Sequence, residues 1–94
     1  MKALAKPIQN KIKKYRKIMG YTQKDLAFLL GLKNYSTISR WEQGTAIPGI
    51  VVLLKLSILF RTLPGELYFD LIKELREEVY IREKSLQTKQ RKFE

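Results

Sequence analysis

Apolar residues recur at helical spacing along most of this 94-residue chain. Ile8, Ile12, Tyr15 and Met19 fall at i, i+4, i+7 and i+11, and Lys11, Lys13, Lys14 and Lys17 occupy the other faces. The pattern predicts a first helix that opens with Pro7 at its N1 position and stops at Gly20. Thr22 is placed to cap a second helix, its hydroxyl accepting the Asp25 N–H while Asp25 sits at the positive helix end. Leu26, Ala27, Leu29 and Leu30 give this helix a core face, and Gly31 supplies the left-handed residue that ends it. Asn34 is the expected cap of a third helix, Tyr35 to Gln43, with Ile38 and Trp41 facing inward and Gly44 closing it. A loop from Thr45 to Pro48 leads to a fourth helix, Gly49 to Phe60, and a fifth opens with Pro64 at N1 and Glu66 in its first turn.

The fifth helix is predicted to outrun the domain. Tyr68, Ile72, Leu75, Val79, Arg82 and Leu86 follow alternating steps of four and three, a short heptad seam interrupted by Arg82. From Pro64 to about Gln87 such a helix is roughly 36 Å long at 1.5 Å per residue, more than a five-helix core covers. Tyr68, Ile72, Leu75 and Val79 are therefore the candidate seam for a second copy or another protein, and the basic residues beyond Gln87 are expected to fray. The chain divides on this reading into a basic arm (1–7), a helical domain (8–70) and a helical extension (71–94).

Charge sharpens the picture. The net charge of +10 is confined to residues 1–65, where twelve Lys/Arg face two acids; residues 66–94 balance seven against seven. A polyanion is the natural partner of such a surface, because each phosphate neutralised releases condensed counterions. With no cysteine and no histidine, the chain offers neither disulfides nor the usual zinc ligands, and no cofactor is expected. The longest apolar run, Ile47 to Leu54, is broken by Pro48 and Gly49 and is too short to span a bilayer. With no apolar leader segment visible, a soluble, cytoplasmic protein is expected. A surface-lying basic helix is disfavoured because the apolar stripe of the first helix is needed by the core. Catalysis is not expected: Glu77 and Glu78 are adjacent and diverge on a helix, and no triad or phosphate loop is present.

The ordered set Arg16, Gly20, Thr22-Gln23, Leu26-Ala27, Gly31, Thr37-Ile38-Ser39-Arg40-Trp41-Glu42, Gly44 and Pro48 resembles the Cro/C1-type (phage-repressor) helix-turn-helix family. The tail Leu53-Leu54-x-Leu56-Ser57, Phe60 and Leu63-Pro64-x-Glu66-Leu67 matches too, so the resemblance covers about residues 8–70. It implies an all-α, five-helix lambda-repressor-like DNA-binding domain, here with an extended C-terminal helix. One residue more than the family's usual spacing separates Gly31 from the third helix, and it is assigned to the turn at Leu32 and Lys33.

The resemblance implies double-stranded DNA as partner, with the first turn of the third helix at base edges in the major groove. Asn34, Tyr35, Ser36, Thr37, Ser39 and Arg40 are then the base-reading candidates. Arg40 has the chemistry for a bidentate pair with guanine O6 and N7, worth about 1–3 kcal/mol of discrimination. Asn34 suits adenine or a helix cap, and Tyr35 a thymine methyl, a phosphate or bare solvent. Gln23 corresponds to the family's phosphate clamp, with Lys24, Lys33, Lys11 and Lys14 along the backbone and Lys2 and Lys6 on the arm. Arg16 and Glu42 match a family ion pair that joins the first helix to the third. The implied function is a sequence-specific transcriptional regulator, a repressor acting as a homodimer on a near-palindromic operator. The alternative is an antitoxin that uses the same helices for autoregulation and the C-terminal helix to hold a toxin protein.

Overall fold

The computed structural model describes residues 6–92, with side chains characterised as far as Lys89. Six helices are present among them and no strand: α1 (Ile12–Ile18), α2 (Gln23–Leu30), α3 (Ser36–Gln43), α4 (Ile50–Phe60), α5 (Pro64–Leu67) and α6 (Phe69–Lys92). The first five close around Ile12, Leu26, Leu30, Ile38, Trp41, Leu56, Phe60 and Leu67, with Tyr15 stacked on Phe60 at 5.9 Å between ring centroids. No described helix is long and apolar enough to cross a membrane.

The first helix starts later than its apolar stripe predicts. Pro7 does not open it; residues 7–10 run outside any helix and are tied to the ends of distant elements. Ile8 N–H donates to Gly44 O at 2.8 Å and Lys11 N–H to Leu67 O at 2.9 Å. Asn10 explains the delay: its Oδ1 accepts the Ile12 N–H at 3.1 Å while its Nδ2 donates to Trp41 O at 2.8 Å. A short amide side chain that turns back on the backbone in this way competes with helix continuation and sets the start at Ile12. Ile8, Tyr15 and Met19 pack partly buried against the core as the stripe requires. Most of the predicted arm, Lys2 included, lies outside the described residues.

The helix predicted to run unbroken from Pro64 is interrupted at Tyr68, whose backbone (φ −120°, ψ 47°) leaves the helical region. The break allows Leu67 and Tyr68, consecutive in sequence, both to enter the core. Tyr68 therefore belongs to this protomer's interior and not to an exposed seam. Beyond it α6 stays helical through Lys92 instead of fraying after Gln87. Every described side chain from Lys73 to Lys89 is exposed, so α6 projects from the body, and the molecule measures 58 × 29 × 19 Å overall. A smaller correction concerns α2, where Leu29 is exposed and the buried core face is Leu26, Ala27 and Leu30.

Candidate nucleic-acid interface

The pairing of α2 with α3 is built from local chemistry. Thr22 and Asp25 form a full capping box: the Thr22 hydroxyl accepts the Asp25 N–H at 3.0 Å and the Asp25 carboxylate accepts the Thr22 N–H at 2.9 Å. Those bonds hold the Asp25 carboxyl below the usual carboxylate range, the Thr22 backbone N–H contributing most. At the other end Gly31 adopts φ +75°, and the Leu32 and Gly31 N–H groups return to Ala27 O and Phe28 O at 2.9 and 3.1 Å. This left-handed termination satisfies two orphan carbonyls and turns the chain sharply. Leu32 then packs against the core while Lys33 points outward, so the longer turn is absorbed before α3 begins. Asn34 accepts the Ser36 N–H at 3.1 Å and so starts α3 one residue later than the sequence predicts.

Within α3, Ile38 and Trp41 are buried and orient the helix. Ser36, Ser39, Arg40 and Gln43, at i, i+3, i+4 and i+7, share the opposite face, and Gln43 Nε2 donates to Ser39 Oγ at 3.1 Å. Thr37 sits to one side of that row, half-buried, and Asn34 and Tyr35 stand exposed at the helix entrance. Gln43 was missed by sequence reasoning, although the helical period running from Ser36 through Arg40 ends on it. Trp41 is core, with no face free for a base.

Arg16 fixes the angle of α3 relative to α1. Its Nε donates to Glu42 Oε2 at 2.6 Å, Nη2 to Glu42 Oε1 at 3.1 Å and Nη1 to Tyr21 O at 2.9 Å. The two side chains are only 10% and 5% exposed, so both charges are withdrawn from water and satisfied by each other. The bond to Glu42 raises the Arg16 pKa further above its ordinary value. Gln23 joins this network, its Nε2 donating to Glu42 Oε1 at 3.0 Å. An amide nitrogen carries two hydrogens, so one remains for an outside acceptor. Arg16, Thr22, Gln23, Lys24 and Tyr35 line an open cleft of about 440 Å³ between the start of α2 and the entrance of α3.

The expected phosphate-facing lysines are not brought together. Lys24 borders this cleft and Lys33 lies exposed in the turn. Lys11 is instead bound to Glu66 at 2.7 Å, with its ammonium 5.4 Å from the Phe69 ring centroid. That hydrogen bond raises the Lys11 pKa and lowers that of Glu66, and Lys14 adds to the field at Glu66. Lys11 thus serves the α1–α5 junction. Among the described residues no cluster of acidic side chains could hold a metal ion.

A capped helix, a left-handed turn and a second helix with a polar outer row define a helix-turn-helix protein. The helix-turn-helix family model matches residues 12–67, more than half of the chain, and the protein belongs to that family in its Cro/C1-type form. The chain is similar to the crystal structure of the restriction-modification controller protein C.AhdI from Aeromonas hydrophila. The TM-score is 0.52 at 32% identity, over 60% of this chain and 83% of that one. No curated protein matches the sequence. Family and fold are those of a DNA-binding transcription regulator. α6 falls outside the matched residues.

Proposed function

We propose that this protein is a sequence-specific double-stranded DNA-binding repressor that acts as a homodimer on a near-palindromic operator. The observation that carries the reading is the cleft at the start of α2, which sets Gln23, Lys24 and Tyr35 beside the entrance of the outward row on α3. A phosphate at the cleft would meet the spare Gln23 hydrogen, the Lys24 ammonium and the first-turn N–H groups of α2. With the backbone held there, Asn34, Ser36, Ser39 and Arg40 face base edges, Arg40 pairing with guanine, while Gln43 lies at the groove rim. Thr37, at the edge of the row, reaches sugar or phosphate. Lys33 and Lys14 add long-range attraction rather than specificity.

The small footprint of one protomer supports a two-fold arrangement. A single eight-residue helix reads only a few base pairs, and a second copy one helical turn away doubles the site. Similarity to a restriction-modification controller supports a role in gene control; repression follows when the operator overlaps a promoter. Selection of preferred sites from random duplex DNA tests the reading. It is expected to return an inverted repeat with half-sites about one helical turn apart. Recovery of no sequence preference would overturn it.

A further inference from the structure

Asn34 stands exposed at the entrance of α3, where two hydrogen bonds decide what its amide can still offer. Its Oδ1 accepts the Ser36 N–H at 3.1 Å and the Ser36 hydroxyl at 2.5 Å. A backbone N–H can only donate, so the amide atom facing it is the oxygen. A carbonyl oxygen has two lone pairs, and here both are taken. Ser36 in turn has given its one hydroxyl hydrogen to Asn34. What remains for an outside group is Nδ2, whose two hydrogens have no partner among the described residues. The same polarity continues along the outward row of α3. Ser39 Oγ accepts from Gln43 Nε2 at 3.1 Å, which leaves the Ser39 hydrogen to donate, and a guanidinium such as that of Arg40 only donates.

We infer that Asn34 reads guanine through its two amide hydrogens, at a base pair separate from the one read by Arg40. The inference rests on the DNA-reading role proposed above and names the base at one of its positions. An asparagine reads adenine by a bidentate pair, in which Oδ1 accepts from N6 while Nδ2 donates to N7. Both lone pairs that could serve N6 are held by the Ser36 N–H and hydroxyl, so reading adenine would break one of those bonds. Guanine presents two acceptors, O6 and N7, side by side in the major groove. Thymine presents one, O4, beside a methyl group, and cytosine presents only a donor. Guanine is therefore the base whose edge matches two free hydrogens and no free lone pair. A phosphate would accept the same hydrogens, but the cleft that offers a phosphate site is lined by Gln23, Lys24 and Tyr35 and not by Asn34.

Asn34→Asp separates the two roles of the side chain. A carboxylate keeps an acceptor for the Ser36 N–H and so retains the start of α3, but it has no hydrogen to give. Preferred sites are selected from random duplex DNA for the full-length wild type, Asn34→Asp and Arg40→Ala. The wild type is expected to select a G·C pair in each half-site that Arg40→Ala leaves in place. Asn34→Asp should turn that pair to C·G, since a carboxylate accepts from cytosine N4, or leave it without preference. Replacing its guanine by 7-deazaguanine, which lacks the N7 acceptor, should weaken wild-type binding by roughly 5-fold or more and Asn34→Asp binding little. If the pair changed by Asn34→Asp is A·T, the inference is overturned. No changed pair, with equal weakening on selected and random duplex, would overturn it in favour of phosphate. The analogue also tests the wild type without any variant at Asn34: undiminished binding with 7-deazaguanine at every guanine except the one lost in Arg40→Ala refutes the contact. A wild type that selects no sequence at all would remove the reading role itself, a failure distinguishable from the others.

Discussion

Replacing Glu42 with Ala tests whether the buried pair with Arg16 is what sets α3 in place. The substitution leaves the guanidinium Nε and Nη2 without acceptors in a site where the Arg16 side chain is 10% exposed, and also strands Gln23 Nε2. Removing one member of such a pair costs about 3–5 kcal/mol, because the remaining charge stays desolvated. That is a large share of the about 5–15 kcal/mol that holds a small domain folded. Urea unfolding followed by fluorescence of Trp41, the single tryptophan and the neighbour of Glu42, reads the loss. With a slope of about 1–1.5 kcal/mol per M, the midpoint should fall by roughly 2–5 M. Arg16→Met combined with Glu42→Leu removes both charges and refills the space. The double variant should lose less stability than Glu42→Ala alone. A midpoint shift under about 0.5 M for Glu42→Ala would show that solvent reaches the guanidinium and that the pair does not position α3.

Other outcomes depend on single contacts. Gly44→Ala places a Cβ 2.5 Å from Ile8 O at φ +80°, whereas Gly31→Ala meets nothing within 4 Å at φ +75°. Both carry the left-handed penalty of about 1–2 kcal/mol, so thermal melts should show Gly44→Ala as clearly the more damaging; equal losses would mean that residues 7–8 do not pack there. The Asp25 and Glu66 carboxyls are both held below the usual range, by the Thr22 N–H and the Lys11 ammonium respectively. Their contribution is present above the unfolded values near 4 and is lost as pH falls through the lower folded values. Asp25→Asn with Glu66→Gln should therefore flatten the loss of stability below about pH 4, and an unchanged acid slope would count against these bonds. Tyr68 has a buried hydroxyl with no partner among the described residues, and burial pushes its pKa up to about 12. Tyr68→Phe should leave stability at neutral pH equal or higher and lessen its decline between pH 10 and 12, where only the unfolded tyrosine ionises. A loss of more than about 1 kcal/mol at pH 7 would show that the hydroxyl has a partner.

What could be read from the sequence was what depends on neighbours along the chain. The Thr22–Asp25 box, the left-handed Gly31 and Gly44, and the inward Ile38 and Trp41 are all set by residues within one or two turns. Contacts between distant segments were not legible. Asn10 reaches Trp41 across 31 positions and Lys11 reaches Glu66 across 55, and neither partner can be inferred from periodicity. The late start of α1 and the reassignment of Lys11 both come from these bonds. The heptad stepping from Tyr68 to Val79 runs straight through the break at Tyr68, because side-chain spacing says nothing of the dihedral angle that lets Leu67 and Tyr68 turn inward together. Gln43 was overlooked for a different reason: the family resemblance points to the first turn of α3, whereas the outward row extends to its end. The sequence assigns no inner or outer side to α4, because its apolar residues show no single stripe; the structure places Ile50, Val51, Leu54 and Ile58 at the surface.

The reading role of α3 is tested most directly by Arg40→Ala, measured on a duplex selected by the wild-type protein and on random duplex of equal length across a salt series. Arg40 is exposed and its side chain has no partner among the described residues, so the fold should be unaffected. Loss of a bidentate guanine contact worth about 1–3 kcal/mol should weaken the selected duplex by roughly 5- to 150-fold, with little change on random DNA. The salt slope should remain, since the phosphate contacts at the α2 cleft are intact. Equal weakening on both duplexes, with a shallower salt slope, would show that Arg40 touches phosphate and that base recognition lies elsewhere.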